Sequence, residues 1–112
     1  MAEKDPVTLH YISLSGTKFQ ISTSTFNKLQ PHLDKEAILT FNQQLQVTEY
    51  FLERDVASFS AILNFHQSGQ LHMPSHVCPL VYQQELLVWG VDWQDMSHCC
   101  LRKFVAFLQG EN

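Results

Sequence analysis

The chain has 112 residues, 45% of them hydrophobic, a size and composition that suit one compact domain with a buried core. Its formal net charge is −4 at pH 7, and no run of lysine or arginine stands clear of neighbouring acids, which argues against a nucleic-acid or membrane partner. No uninterrupted apolar stretch approaches the roughly 18 residues that a bilayer span needs, and residues 1–5 lack the apolar core of a signal peptide. These features predict a soluble, intracellular protein.

The first third of the chain predicts a β-hairpin. Residues 7–14 are rich in β-forming side chains, and Ser15 and Gly16 supply a turn. Phe19 and Ile21 then alternate with polar residues, as expected for a half-buried second strand.

A short helix is predicted over residues 23–29, capped by a serine or threonine. We expect it to end before Pro31, because the residue that precedes a proline disfavours the helical region. A polar connection then reaches to about Val47, and residues 49–52 predict a brief strand.

Three helices are predicted in the second half. Asp55 caps the first, which ends before Gly69, and Pro79 suits the first turn of the second, which Gly90 closes. The last ends near Gly110. The apolar positions that recur at helical spacing are Val56, Phe59, Ile62 and Leu63, then Leu80, Val81, Leu87 and Val88, then Leu101, Phe104, Val105 and Leu108.

Strands therefore precede most helices without regular alternation, which predicts an α+β fold. We expect a single domain over residues 7–108, with short tails at residues 1–6 and 109–112.

The most informative pattern gathers all three cysteines and one imidazole into a spaced set: His72, five residues, Cys78, twenty residues, then Cys99 and Cys100. Adjacent cysteines make a poor disulfide, and in a reducing compartment such thiols are free, catalytic or metal-bound. Three sulfurs and one imidazole suit tetrahedral zinc, and four protein ligands leave no open position, so the predicted site is structural.

The predicted position of the cysteine pair favours thiolates. Cys99 and Cys100 come just before a helix that we expect to begin near Leu101, and helix N-termini favour nearby negative charge. Arg102 and Lys103 add positive charge beside them.

Composition alone leaves other interpretations open. Free cysteines are commonly buried as small hydrophobic residues, and His76 or His98 could replace a ligand because each is close to the set in sequence. A nucleophilic cysteine paired with histidine would require an orienting third group and an oxyanion site. No motif supports that chemistry, so we do not expect an enzyme.

Several motifs resemble those of potassium-channel tetramerisation domains, which belong to the BTB/POZ-like superfamily. Leu14-Ser-Gly-Thr-Lys-Phe19 resembles the family's opening strand, turn and strand, and Glu49-Tyr-Phe-Leu-Glu-Arg54 resembles its Glu-Tyr-Phe-Phe-Asp-Arg motif. The likeness covers residues 7–101. The cysteine–histidine spacing resembles the non-Shaker subfamilies, and the Leu-His-x-Pro and Val-Trp-Gly-Val surroundings are most similar to Shaw-type voltage-gated channels.

The resemblance implies a cytoplasmic self-assembly domain that drives and restricts channel tetramerisation, forming a head-to-tail homotetramer or assembling with related channel subunits. It further implies a zinc ion between neighbouring subunits, bound by His72, Cys99 and Cys100 of one chain and Cys78 of the next. Spacing alone leaves open that one chain supplies all four ligands.

Two positions depart from the family pattern. The usual glycine pair of the first turn is Ser15-Gly16, where we expect one glycine to supply the positive φ. The usual Phe-Asp is Leu52-Glu53, and the longer acid either shifts a polar contact with Arg54 or a neighbouring chain, or is simply solvated.

Two rival functions remain compatible with the sequence. One is a stand-alone BTB-type adaptor or regulator of channel assembly, although the adaptor branch generally lacks the zinc pattern. The other is a redox-responsive protein in which cysteine oxidation releases zinc.

Overall fold

A computed structural model describes residues 7–110. Its contacts divide the chain into two compact units, the first ending at Arg54 and the second beginning at Asp55. The predicted N-terminal tail and the last two residues lie outside the described part, so the predicted domain boundaries stay a prediction.

The first unit is a four-stranded sheet with one helix. Its elements are β1 (Leu9–Leu14), β2 (Thr17–Ser22), α1 (Thr23–Glu36), β3 (Ile38–Asn42) and β4 (Val47–Leu52). The strand order is β2-β1-β4-β3, with β1 and β4 parallel and the two outer pairs antiparallel. The second unit is helical and contains α2 (Val56–Ser68), α3 (Pro79–Val88), a 3-10 turn (Trp93–Asp95) and α4 (His98–Leu108). The α+β prediction is confirmed.

The predicted opening hairpin is confirmed, and two consecutive residues of its turn have positive φ. The turn forms with one glycine, as expected, but it has two left-handed positions, Ser15 (φ 49°) and Gly16 (φ 87°). Two hydrogen bonds hold Ser15 there: its amide donates to the Leu52 carbonyl at 2.9 Å, and its hydroxyl donates to the Arg54 carbonyl at 2.8 Å.

We expect Ser15→Gly to be more stable than Ser15→Ala by about 1 kcal/mol, because both lose the hydroxyl but only glycine escapes the left-handed penalty. Urea unfolding of the two variants measures the difference directly. Equal midpoints, or a more stable alanine variant, would contradict the account of this turn.

Helix α1 continues to Glu36 with Pro31 inside it, so the prediction that it ends before Pro31 is wrong. The proline removes a hydrogen bond to the Asn27 carbonyl, and both residues are exposed, so water can satisfy that oxygen. Leu29 and Leu33 are fully buried on either side of the proline, and their burial outweighs the local preference. The predicted serine cap is confirmed, since Ser22 accepts from the Thr25 amide.

The predicted polar connection contains the strand β3, so that prediction is also wrong. Residues 38–41 (Ile-Leu-Thr-Phe) are mostly apolar and rich in β-forming side chains, and they pair with β4. The loop follows them, where the Asn42 side-chain oxygen accepts from the amides of Gln44 and Leu45 at 3.0 Å each.

The motif at residues 49–54 supplies ion pairs to the first unit. The buried Glu49 carboxylate accepts from Lys18 Nζ at 2.9 Å, and Arg54 pairs with Glu36 at 3.1 Å. Glu53 is exposed in the single chain, which leaves open both solvation and a contact with a neighbouring chain.

In the second unit, helix α2 follows its prediction closely. Asp55 caps it by accepting from the Ser58 amide at 2.8 Å, and Gly69 ends it in the left-handed region. Phe59, Ile62 and Leu63 are buried along one face.

Helix α3 begins at Pro79 as predicted, but its buried face differs from the recurring apolar set. Its buried residues are Tyr82, Glu85 and Leu86, while Leu80 and Leu87 are 50% and 75% exposed. In α4 the buried residue is Phe104.

Among residues 7–110, no helix combines the length and apolar character required to cross a bilayer.

Candidate metal centre

The segment that carries His72 is fixed against the start of α4. After Gly69 ends α2, Leu71 forms a parallel bridge with Met96, and the Leu71 carbonyl accepts from the Ser97 amide at 2.8 Å. Leu71 is fully buried and Met96 is 5% exposed. Burial and a hydrogen bond therefore set His72 beside the N-terminus of the helix that follows Ser97.

Cys99 and Cys100 lie in the first turn of α4, which begins at His98. The prediction that the helix begins near Leu101, after the pair, is wrong by three residues. Ser97 is the N-cap residue, and its carbonyl accepts from the amide of Cys100 at 2.9 Å. The helical backbone projects both thiols from the same end of the helix.

The three side chains converge on a common point. His72 Nδ1 lies 3.3 Å from Cys99 Sγ and 3.7 Å from Cys100 Sγ, and the two sulfurs are 3.8 Å apart. All three ligand atoms lie within 4.8 Å of one another. His72, Cys99 and Cys100 are three of the four residues predicted as ligands.

The spacing suits a tetrahedral metal. With zinc bonds of about 2.3 Å to sulfur and about 2.0–2.1 Å to nitrogen, a regular tetrahedron separates two sulfurs by about 3.8 Å and sulfur from nitrogen by about 3.6 Å. The observed 3.8 and 3.7 Å separations agree with those values, and the 3.3 Å separation between Cys99 Sγ and His72 Nδ1 is about 0.3 Å shorter. The residues present therefore fit zinc, with one corner left for another ligand.

Cys78 is not brought into this group of residues. It is exposed and is the N-cap residue of α3, where its side chain makes no capping hydrogen bond. His76 lies in the exposed turn before it, and His98 is exposed at the start of α4. Neither histidine belongs to the convergent group.

The exposure of the thiols argues against the simplest alternative interpretation. Cys99 is exposed and Cys100 is partly exposed, so neither serves as a small hydrophobic residue of the core. Both sulfurs also face the same imidazole nitrogen, an arrangement that suits a shared metal better than one nucleophile with its own base.

Tyr82 is the residue of this site that the sequence analysis missed. Its side chain is fully buried, and its hydroxyl donates to the His72 carbonyl at 2.7 Å. Burial, and secondly the charge of nearby Cys100, raise the pKa of the Tyr82 phenol well above its usual value, so the hydroxyl remains a donor. The signal in the sequence was its place four residues after Cys78, one turn into the predicted helix; its burial is seen only in the structure.

Comparison with known proteins adds independent information. The family model described as a BTB/POZ domain matches residues 11–99. The voltage-gated potassium channel KCNC1 of Mus musculus is 31% identical over 105 residues, covering 89% of this chain and 20% of the channel. KCNC3 of Homo sapiens is 30% identical over 94 residues, covering 80% of this chain and 12% of that channel.

A third relative matches a shorter part of the chain. KCNC4 of Homo sapiens is 38% identical over 52 residues, or 46% of this chain and 8% of the channel. The chain thus spans a fifth or less of the length of these three relatives. Because the family match covers most of the chain and the relatives are Shaw-type potassium channels, the predicted resemblance is confirmed and the chain belongs to the BTB/POZ domain family, among its potassium-channel tetramerisation domains.

Proposed function

We propose that this chain is a self-assembly domain that forms a head-to-tail ring of four copies and sets which voltage-gated potassium channel subunits assemble together. In this proposal each seam of the ring holds one structural zinc ion. His72, Cys99 and Cys100 of one copy bind it together with Cys78 of the neighbouring copy. The partners are identical chains or related Shaw-type subunits, and the role is not enzymatic.

The observation that carries the proposal is the incomplete ligand set within one chain. Three ligand atoms stand at the spacing of three tetrahedral corners, while the remaining cysteine, Cys78, is exposed and outside the group. A structural zinc site requires four protein ligands. A second copy that offers its Cys78 would complete the set.

If zinc is shared in this way, the affinity for zinc and the affinity between subunits are thermodynamically linked. A ligand that binds only the assembled state stabilises that state by mass action, and for structural zinc the binding free energy becomes folding or assembly free energy. Equivalent head-to-tail contacts close into a ring when the rotation between copies permits.

Exposed apolar side chains on both units support a role in association. In the first unit, Ile38, Leu39 and Phe41 of β3 are 63%, 63% and 56% exposed. In the second unit, Leu80 and Leu87 of α3 are also exposed. Grouped apolar residues on a surface commonly mark protein–protein contacts.

The proposed location is the cytoplasm, on the cytoplasmic face of the membrane when the domain accompanies a channel. Three free cysteines suit a reducing compartment. The resemblance to potassium channels supports the channel partner, because the similarity covers most of this chain.

Light scattering combined with metal analysis tests this function. We expect a particle of four times the mass of one chain with about one zinc per chain, and a strong chelator should dissociate it. His76→Ala serves as the control, because His76 is exposed and outside the convergent group, and it should keep both mass and metal. A stable monomer without metal would defeat the proposal and favour the adaptor interpretation.

A further inference from the structure

We propose that Tyr82 is a positioning residue of the metal site, holding both His72 and the Cys78 end of α3 in the geometry that zinc requires. This inference rests on the proposed function. It assigns a role to a buried hydroxyl that supplies no ligand atom and contacts the site through the backbone carbonyl of His72.

Two hydrogen bonds connect Tyr82 to two different candidate ligands. Its hydroxyl donates to the His72 carbonyl at 2.7 Å, and its amide donates to the Cys78 carbonyl at 3.0 Å. The amide bond is the first of the α3 ladder and would form with any side chain at this position except proline. The hydroxyl bond depends on tyrosine, and it ties the His72 segment to the start of α3.

The His72 segment has other anchors, so losing the hydroxyl should loosen it without unfolding it. Leu71 is bridged to Met96 and bonded to Ser97, and both contacts are independent of Tyr82. The bond from the Tyr82 hydroxyl to the His72 carbonyl restrains the next residue along the chain, His72 itself. Its loss would let His72 Nδ1 depart from its 3.3 and 3.7 Å separations from the two sulfurs.

The same bond would relate one seam of the proposed ring to the next. In that ring, His72 and Cys78 of one chain serve two different zinc ions. Tyr82 contacts the backbone of both residues, so it sets the distance between the ligand that a chain presents at one seam and the ligand that it presents at the other. Outer residues that orient metal ligands typically change metal affinity by about 10–100-fold when they are replaced.

Cobalt(II) binding to the full chain tests the inference, because tetrahedral cobalt with thiolate ligands has a characteristic visible spectrum. Tyr82→Phe should weaken cobalt binding by about tenfold and speed its release to a chelator, while keeping the tetrahedral spectrum at saturation. Two controls separate this effect from general loosening. Ile62→Val trims a buried side chain of the same unit, and Tyr50→Phe removes a hydroxyl from the other unit; neither should change affinity.

Two unnatural side chains at position 82 keep the test decisive if phenylalanine leaves a destabilising gap. Replacement of Tyr82 by 4-aminophenylalanine retains a donor and should restore wild-type affinity, whereas 4-methylphenylalanine fills the same space without a donor and should not. Equal cobalt affinity of these two variants, or of Tyr82→Phe and wild type, would overturn the inference about Tyr82 but leave the proposed function standing. A wild-type chain that gives no tetrahedral thiolate spectrum would instead overturn the proposed function.

Discussion

Cys78→Ala should dissociate the assembly while leaving each chain folded. Cys78 is exposed, makes no capping hydrogen bond and stands outside the His72 group, so its removal disturbs little within one chain. Structural zinc contributes about 10–16 kcal/mol of binding free energy, so losing one ligand of four should cost several kcal/mol at every seam. At concentrations where the proposed wild-type tetramer forms, light scattering should report monomers of this variant, with an unchanged helical circular dichroism signal.

Cys99→Ala provides the matched comparison for this result. It also removes one sulfur per seam, so it should dissociate the ring to a similar extent if both cysteines are ligands. Unfolding of the isolated Cys78→Ala chain would instead indicate a site completed within one chain, and an intact ring that retains its zinc would exclude Cys78 as a ligand.

Phe104→Ala should strongly destabilise the second unit and with it the metal site. Phe104 is fully buried, and its ring lies 5.4 Å from that of Trp93 and 6.4 Å from that of Phe107. Replacing a buried phenylalanine by alanine costs about 3–5 kcal/mol, a large part of the roughly 5–15 kcal/mol that stabilises a typical domain. Thermal unfolding followed by circular dichroism measures the loss.

If Cys99 and Cys100 of α4 bind zinc as proposed, adding zinc should recover part of the melting temperature of Phe104→Ala, because a ligand that binds only the folded state stabilises it. Leu108→Ala is the control on the same helix, since Leu108 is 40% exposed, and it should change stability by much less. Equal losses in the two variants would contradict the packing described for α4.

The elements with strong local signals were predictable from sequence. Asp55 and Gly69 mark the two ends of α2, and Pro79 marks the start of α3, because each position requires a specific backbone or capping chemistry. Such signals act within a few residues and do not depend on what packs nearby.

The incorrect predictions arose where packing outweighed local preference. Pro31 lies within α1 because Leu29 and Leu33 are buried on both sides of it. The strand β3 was missed for a different reason: its short β-forming run does not alternate regularly between apolar and polar residues, and polar residues 42–44 follow it directly, so it was assigned to the connection. For α3, the recurrence of Leu80 and Leu87 indicated the wrong face, since period alone cannot tell a buried apolar face from an exposed one.

The candidate site was likewise only partly predictable from the sequence. Sequence spacing predicted His72, Cys78, Cys99 and Cys100 as one ligand set because soft ligands in such a pattern favour zinc, and the structure brings three of the four together within one chain. It could not assign Cys78 to the same chain or to a neighbour, because contacts between copies leave no mark on spacing. Tyr82 was missed because it contacts His72 only through the backbone carbonyl and offers no predicted ligand atom.

The most direct test of a shared site mixes two defective chains. Cys78→Ala retains the three clustered ligands, while a Cys99→Ala, Cys100→Ala double variant retains Cys78, so neither alone can build a complete site of either kind. If zinc lies between copies, the mixture should form a metal-loaded pair, seen by native mass spectrometry as one chain of each variant with one zinc. If the mixture binds no more metal than the separate chains, the ligands are not shared and the central claim is wrong.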